Sequence, residues 1–382
     1  MSAYLDNSAT TRVSAAAVDK AVAMMTVEFG NPSSLHTMGH HAAQAVTAAR
    51  RQVATLFGLP QDAASLSCIT FTSGGTEANN LALFGAAAAR GRRGRHMVTT
   101  AIEHPSVLEV MHTLEKEGFS LTVVEPDANG DISAGALADA CREDTVLVAA
   151  MLVNNELGTV LPLREAIQKI RRRSPLAHIH CDAVQAAGKL PLKVLALDAD
   201  SVSVSGHKLH APKGVGALYV KRGVRILPRV YGGGQERQLR SGTEAVPLIA
   251  AFGAAVEALP PFSEQYAVFH ALEAQLEEGL SAIDGVVLHR PQNRVPYIVN
   301  ASVCGFKSET LVHFLASREV YVSSGSACAK GQQSHVLQAL GLPKEQSDSA
   351  LRISLCADNT ADDIDQFLAA LREATASLAS VD

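Results

Sequence analysis

Residues 201–216 read SVSVSGHKLHAPKGVG, and this stretch decides the fold. Val and Ser alternate at period two over 201–205, the pattern of a half-buried strand. Gly206 ends that strand and Lys208 follows at once. A turn-rich run with Pro212, Lys213 and Gly214 then leads to a second apolar strand over 215–220. Taken alone, the stretch admits two readings. Lys208 is either a surface lysine of a β-hairpin or a lysine held in a cleft. In a cleft, partial desolvation favours the neutral amine that attacks carbonyls, which a Schiff-base lysine requires.

Working outward from this stretch, strand and helix patterns alternate. Strands are predicted over 97–100, 121–124, 146–153 and 178–181, with helices to about 118, near 134–142 and over 163–173 between them. Such alternation argues for βαβ units and a largely parallel α/β sheet. Ligands of open sheets sit beyond the carboxyl ends of the strands. Those ends carry Glu103 and His104, then Asn154, Asn155 and Glu156, then Asp182 and Gln185, then His207 and Lys208. Upstream, CITFTSGGTEANN over 68–80 predicts a strand, a Ser-Gly-Gly-Thr turn and a helix. Free N–H groups at such a helix start suit a phosphate. Neither GxxxxGKS nor GxGxxG is present. Helices are also predicted from Ser14 to about Val27 and over 35–57, the latter with Val46, Ala49, Val53 and Leu56 on one face.

Pro260 and Pro261 mark a boundary. The reading is a large cofactor-binding domain over 14–259 and a small α+β domain over 260–382, with 1–13 packing near the small one. The 382 residues suffice for two such cores. Composition is that of a soluble globular chain, 47% apolar and 19% charged, with net charge −5. This balance gives no reason to expect nucleic acid or an anionic membrane as partner. The N-terminal MSAYLDNSATT has no basic n-region and no apolar h-region, so a cytoplasmic protein is expected. The six cysteines make no CxxC and no zinc-ligand spacing, which argues for free thiols and no metal. Most are expected to be small buried residues, but Cys328 lies in VYVSSGSAC, among Gly, Ser and Ala. That composition predicts an exposed loop and a reactive thiol, with Lys330 and His335 near enough in sequence to lower its pKa from about 8.5.

An imine-forming lysine, a neighbouring aspartate and a phosphate cradle together fit pyridoxal phosphate. Lys208 would hold its aldehyde, and Asp182 would keep the pyridine nitrogen protonated. His104 would stack on the ring and move protons. Gly75, Thr76, Ser205 and His207 would bind phosphate, and Gln185 the ring hydroxyl. Arg352, from the second domain, is a fork for a substrate carboxylate, with Asn155 beside it.

The chain resembles the cysteine desulfurases, pyridoxal-phosphate enzymes of fold type I in the class V aminotransferase group. The resemblance is carried end to end by YLDNSATT, FGNPSSLH, FTSGGTEANN, VNNELG, HCDAVQ, SVSVSGHK, GGGQERQLRSGT and SSGSAC. It implies conversion of L-cysteine to L-alanine, with the sulfur passing as a persulfide on Cys328 to an acceptor. It also implies a homodimer in which Thr243 reaches the partner subunit's phosphate. Two departures bear on the acceptor: only Ala329 to Gln333 separate Cys328 from SHVL, and the chain stops at Asp382 soon after its last helix. An iron–sulfur scaffold and a tRNA-thiolating enzyme are both open as acceptors. The alternative activity is that of a selenocysteine lyase or another enzyme of the class V aminotransferase type.

Overall fold

The computed structural model describes residues 2–324 and 333–380. Its central sheet has seven strands, in the spatial order Ile69–Thr72, Gly216–Val220, Ser201–Ser205, His178–Asp182, Thr145–Met151, His96–Thr100 and Ser120–Val124. The last five are mutually parallel. Gly216–Val220 runs antiparallel to both of its neighbours. The sheet is buried on both faces, which is why its middle strands read as nearly continuous apolar runs. Met97, Leu147 and Ala149 meet Leu83, Val107 and Met111 from the helices Gly75–Arg90 and Pro105–Lys116. Val98, Val148 and Ala150, pointing the other way, join the main core with Ile167 and Ile170 of the helix Leu163–Arg173.

A second, four-stranded sheet is antiparallel, in the order Ser323–Ser324, Ala350–Ser354, Ile298–Val303 and Val286–His289. The helices Phe262–Ser281 and Ala361–Ser377 pack together beside it. The N-terminal strand Ala3–Tyr4 pairs in parallel with Val320–Tyr321. Asn7 then bonds Ser354 O through its backbone N–H, 3.2 Å, and its side chain, 3.0 Å. The next residues cross to the Lys208 turn, where Thr11 N donates to His207 O at 2.9 Å. One short segment therefore links the antiparallel sheet to the Lys208 turn.

The predicted element order holds, with shifts at the ends. Ser14 caps the helix Ala15–Thr26, its Oγ accepting from Ala17 N at 3.3 Å. The long helix starts at Thr37, because His36 is its cap; Leu35 lies before the cap and is fully exposed. One expectation fails at the centre. Ser201–Ser205 is buried on both faces, not half-buried. Its serines face polar side chains in place of water: Ser201 Oγ lies 2.7 Å from His178 Nε2 and 2.8 Å from His180 Nδ1. Among the described residues, no single helix is long and apolar enough to cross a membrane.

Candidate functional site

The carboxyl ends of the parallel strands open into a cavity of ≈ 270 Å³. Lys208 lies in the 3-10 turn Gly206–Lys208 that ends the strand Ser201–Ser205. The connection to Gly216–Val220 is indeed an antiparallel return, yet Lys208 lines the cavity. Its Nζ donates to the carbonyls of Ser8 and Ala9, the latter at 2.7 Å. Around it the cavity brings together Gly75, Thr76, His104, Asn155, Asp182, Gln185, Ser205, His207 and Arg352. Thr243 is exposed and does not line this cavity. Cys328 and Lys330 lie outside the described residues. The third group expected near Cys328, His335, donates through Nε2 to Glu103 O at 2.9 Å.

Beneath Lys208 the floor is a closed hydrogen-bond network whose hub, Asn79, was not singled out from the sequence. Asn79 Nδ2 donates to Asp182 Oδ2 at 2.7 Å and to Ser106 Oγ at 2.8 Å. Its Oδ1 accepts from His180 Nε2 at 2.9 Å and from Ser203 Oγ at 2.5 Å. Both donors and both lone pairs are thus in use. Asn79 sits one helical turn past Gly75, so spacing alone put it on the same inward face. Asp182 Oδ1 is fixed separately by Val184 N at 2.9 Å.

Ser106 carries the network to His104. The N–H of Ser106 donates to His104 Nδ1 at 3.1 Å, and its Oγ lies 2.8 Å from the same atom. A nitrogen that accepts has no proton, so neutral His104 carries its hydrogen on Nε2. Burial holds the imidazole below its usual pKa, with Asp182 pulling the other way. His207 is pushed down to about 4, by burial first and Lys208 second. Both shifts favour the neutral imidazole.

The rim differs. Gln185 Nε2 donates to Ser8 O at 3.0 Å, but among the described residues its buried Oε1 has no partner. Arg352 is buried; one Nη reaches Asp6 Oδ1 at 2.8 Å and the other Asn155 O at 3.2 Å, and among the described residues neither its Nε nor Ser8 Oγ has a partner. Of the other strand-end residues, three brace turns. Glu103 accepts from Thr100 Oγ1 at 2.6 Å and Met151 N at 2.9 Å. Asn154 Oδ1 accepts from Glu156 N and Leu157 N. Glu156 meets Ser334 Oγ at 2.5 Å.

These residues fit pyridoxal phosphate. The helix Gly75–Arg90 begins without a side-chain cap, leaving its first N–H groups toward the cavity. A Cβ on Gly75 would meet Val184 Cγ2 at 2.8 Å and Ser205 Cβ at 3.4 Å, so only glycine leaves that cradle open. An amine, a carboxylate fixed by two donors, and an unpartnered amide oxygen complete a donor set for a charged heterocycle carrying an aldehyde and a hydroxyl.

The chain is similar to known proteins over nearly its whole length. The Aminotransferase class-V family profile matches residues 3–367. The cysteine desulfurase IscS of Methanosarcina thermophila is 40% identical over 374 residues, covering 97% of this chain and 91% of its own. A solved NifS-like protein superposes with TM-score 0.92 at 36% identity, over 99% of this chain and 100% of its own. SspA in complex with cysteine gives TM-score 0.81 at 34% identity, over 94% and 99%.

Proposed function

The chain belongs to the class-V aminotransferase family, and from that premise we propose that its cavity converts L-cysteine to L-alanine and passes the sulfur through Cys328 to an acceptor protein. It is a pyridoxal-phosphate-dependent cysteine desulfurase. The observation that carries the reading is the convergence of Lys208, Asp182, His104 and Arg352 on one cavity.

When bound, pyridoxal phosphate supplies an aldehyde for an amine and a sink for electrons. Lys208 would hold it and would move a proton at Nζ. Asp182, pinned by Asn79 and Val184, would keep the ring nitrogen protonated. Gln185 Oε1 would take the ring hydroxyl. Gly75, Thr76, Ser205 and His207 would hold the phosphate; Thr243 would complete the partner subunit's site. His104 would pack on the ring and present the proton on Nε2. Arg352 would grip the substrate carboxylate beside Asn155; each Nη keeps a second N–H beyond its bond, and Nε has no partner among the described residues. The Cys328 thiolate then attacks the substrate sulfur. An S–S bond forms as the Cβ–S bond breaks, and the carbon keeps the electron pair, takes the thiol proton and becomes the methyl of alanine. A persulfide stays on Cys328 for an iron–sulfur scaffold or a tRNA-thiolating enzyme.

The homodimer is supported by an apolar face. The helix Ala15–Thr26 buries Ala17, Ala21 and Met24 but exposes Val18, Val22 and Met25. Phe29, Leu35 and Tyr231 are exposed as well. A surface this apolar calls for a partner, and Tyr231 opens the same glycine-rich segment that carries Thr243. We read 14–259 as the cofactor-binding domain and 260–382, joined by 1–13, as the domain that brings Arg352 and Cys328. A reducing, cytoplasmic setting suits a thiol that must stay free between turnovers.

The test is product formation. Protein loaded with pyridoxal phosphate releases alanine and, with a reductant, sulfide from L-cysteine. Loaded protein that yields no alanine with reductant and any acceptor supplied overturns the reading.

A further inference from the structure

Outside the cavity, three side chains from two distant parts of the chain meet. His210 lies two residues past Lys208, and Cys356 and Asp358 follow the strand Ala350–Ser354 that carries Arg352. One atom from each, an imidazole nitrogen, the Cys356 sulfur and a carboxylate oxygen, lies within 4.8 Å of the other two. None of the three lines the cavity or enters the desulfuration chemistry.

The surroundings prepare two of these groups as ligands. His210 Nδ1 is 3.0 Å from the carbonyl oxygen of Arg12. A carbonyl only accepts, so Nδ1 carries the proton and Nε2 keeps its lone pair. Metal-binding histidines are held this way, the second ring nitrogen donating to a backbone carbonyl. The backbone of His210 is fixed in the left-handed region at φ 58, with its N–H donating to Thr11 Oγ1 at 2.8 Å. Cys356 is buried and is a free cysteine. Its position is fixed by its backbone N–H, which donates to Asn359 Oδ1 at 2.9 Å.

The geometry points to a zinc site made by His210, Cys356 and Asp358, separate from the cofactor cavity. The thiolate and imidazole suit zinc, whereas magnesium and calcium take oxygen ligands. One thiolate and one carboxylate balance the two charges of the cation, and the thiol proton leaves as the metal enters. Three protein ligands leave the fourth tetrahedral position to water. Such an ion ties the turn bearing Lys208 to the strand bearing Arg352. It sets the spacing of the cofactor lysine and the substrate arginine, and its role is structural.

The experiment uses the full chain loaded with pyridoxal phosphate in a Cys328→Ser background, so that the catalytic thiol contributes no ligand. The protein is stripped with a chelator, incubated with zinc, gel-filtered and assayed for retained metal. Cobalt(II) replaces zinc in a parallel sample, read as the difference from cobalt-free protein so that cofactor absorption cancels. The parent is expected to keep about one zinc per chain, to show a thiolate-to-cobalt charge-transfer band and to melt at a higher temperature with zinc. Cys356→Ser and His210→Asn, the latter because Asn tolerates positive φ, are expected to lose the band and the retained metal while keeping the cofactor absorption. A folded parent with no retained metal and no band overturns the site. Retention by both variants equal to the parent's also overturns it. If the variants fail to fold, the parent's cobalt band alone decides.

Discussion

The floor of the cavity and its rim are built on opposite principles. In the floor, Asn79 spends every donor and acceptor it has on Asp182, Ser106, His180 and Ser203. At the rim, Gln185 Oε1, Ser8 Oγ and Arg352 Nε are buried without partners among the described residues. A closed buried network holds one geometry, because any movement leaves a polar group unpaired. An orphaned buried polar atom costs free energy unless something bonds it. The floor is therefore finished before any ligand arrives, and the rim keeps polar atoms that, on the proposed reading, cofactor and substrate would complete. The difference separates residues that position from residues that bind, and it can be tested.

The largest effect is expected where floor and rim meet, at Lys208. Lys208→Ala should lower alanine formation by ~10³-fold or more and abolish the Schiff-base absorption of the purified protein. A variant with an unchanged spectrum would separate Lys208 from the cofactor. Next comes the hub. Asn79→Ala leaves His180, Ser203, Ser106 and Asp182 short of partners, so chemical denaturation should show a loss of about 2–5 kcal/mol, together with weaker cofactor retention. A loss below about 1 kcal/mol would mean that the network does not act as a unit.

At the rim the effect should fall on substrate and not on stability. Arg352→Lys keeps the charge but loses the fork. It should raise KM for L-cysteine by roughly 10-fold or more, a loss of about 1.4 kcal/mol, while the cofactor spectrum stays as it is. A change in kcat alone would contradict that division.

The smallest effect is expected at Glu103, beside the floor. Burial pushes its carboxyl from 4.5 up to about 8, so it is protonated at neutral pH. A raised folded pKa contributes stability that is fully present below 4.5 and is lost as pH rises to about 8. Glu103→Gln should cost little at pH 7 and flatten the fall in melting temperature between pH 5 and 8. An unchanged pH slope in the variant would assign that fall to another group.

The rim was legible in the sequence because its residues sit at strand ends, and strand ends announce themselves through the turn to glycine and polar residues after an apolar run. Lys208 after SVSVS and Asp182 after HIHC are of this kind. The floor was not legible, since Asn79 and Ser106 look like ordinary helix residues until the sheet brings Ser203 and His180 beneath them. The alternation of Ser201–Ser205 misled for the same reason. Period two reports two unlike faces, but it does not say whether the polar face meets water or other side chains. The His210, Cys356 and Asp358 meeting was hidden too, because only topology brings His210 to the Cys356–Asp358 turn.

The measurement that bears most directly on the whole account is alanine release from L-cysteine by the wild type and Cys328→Ala, both loaded with pyridoxal phosphate and supplied with a reductant. The account predicts multiple turnovers with sulfide from the wild type, and from Cys328→Ala an unchanged cofactor spectrum with no turnover. Full turnover by Cys328→Ala would move the sulfur-accepting step to another residue and contradict the assignment.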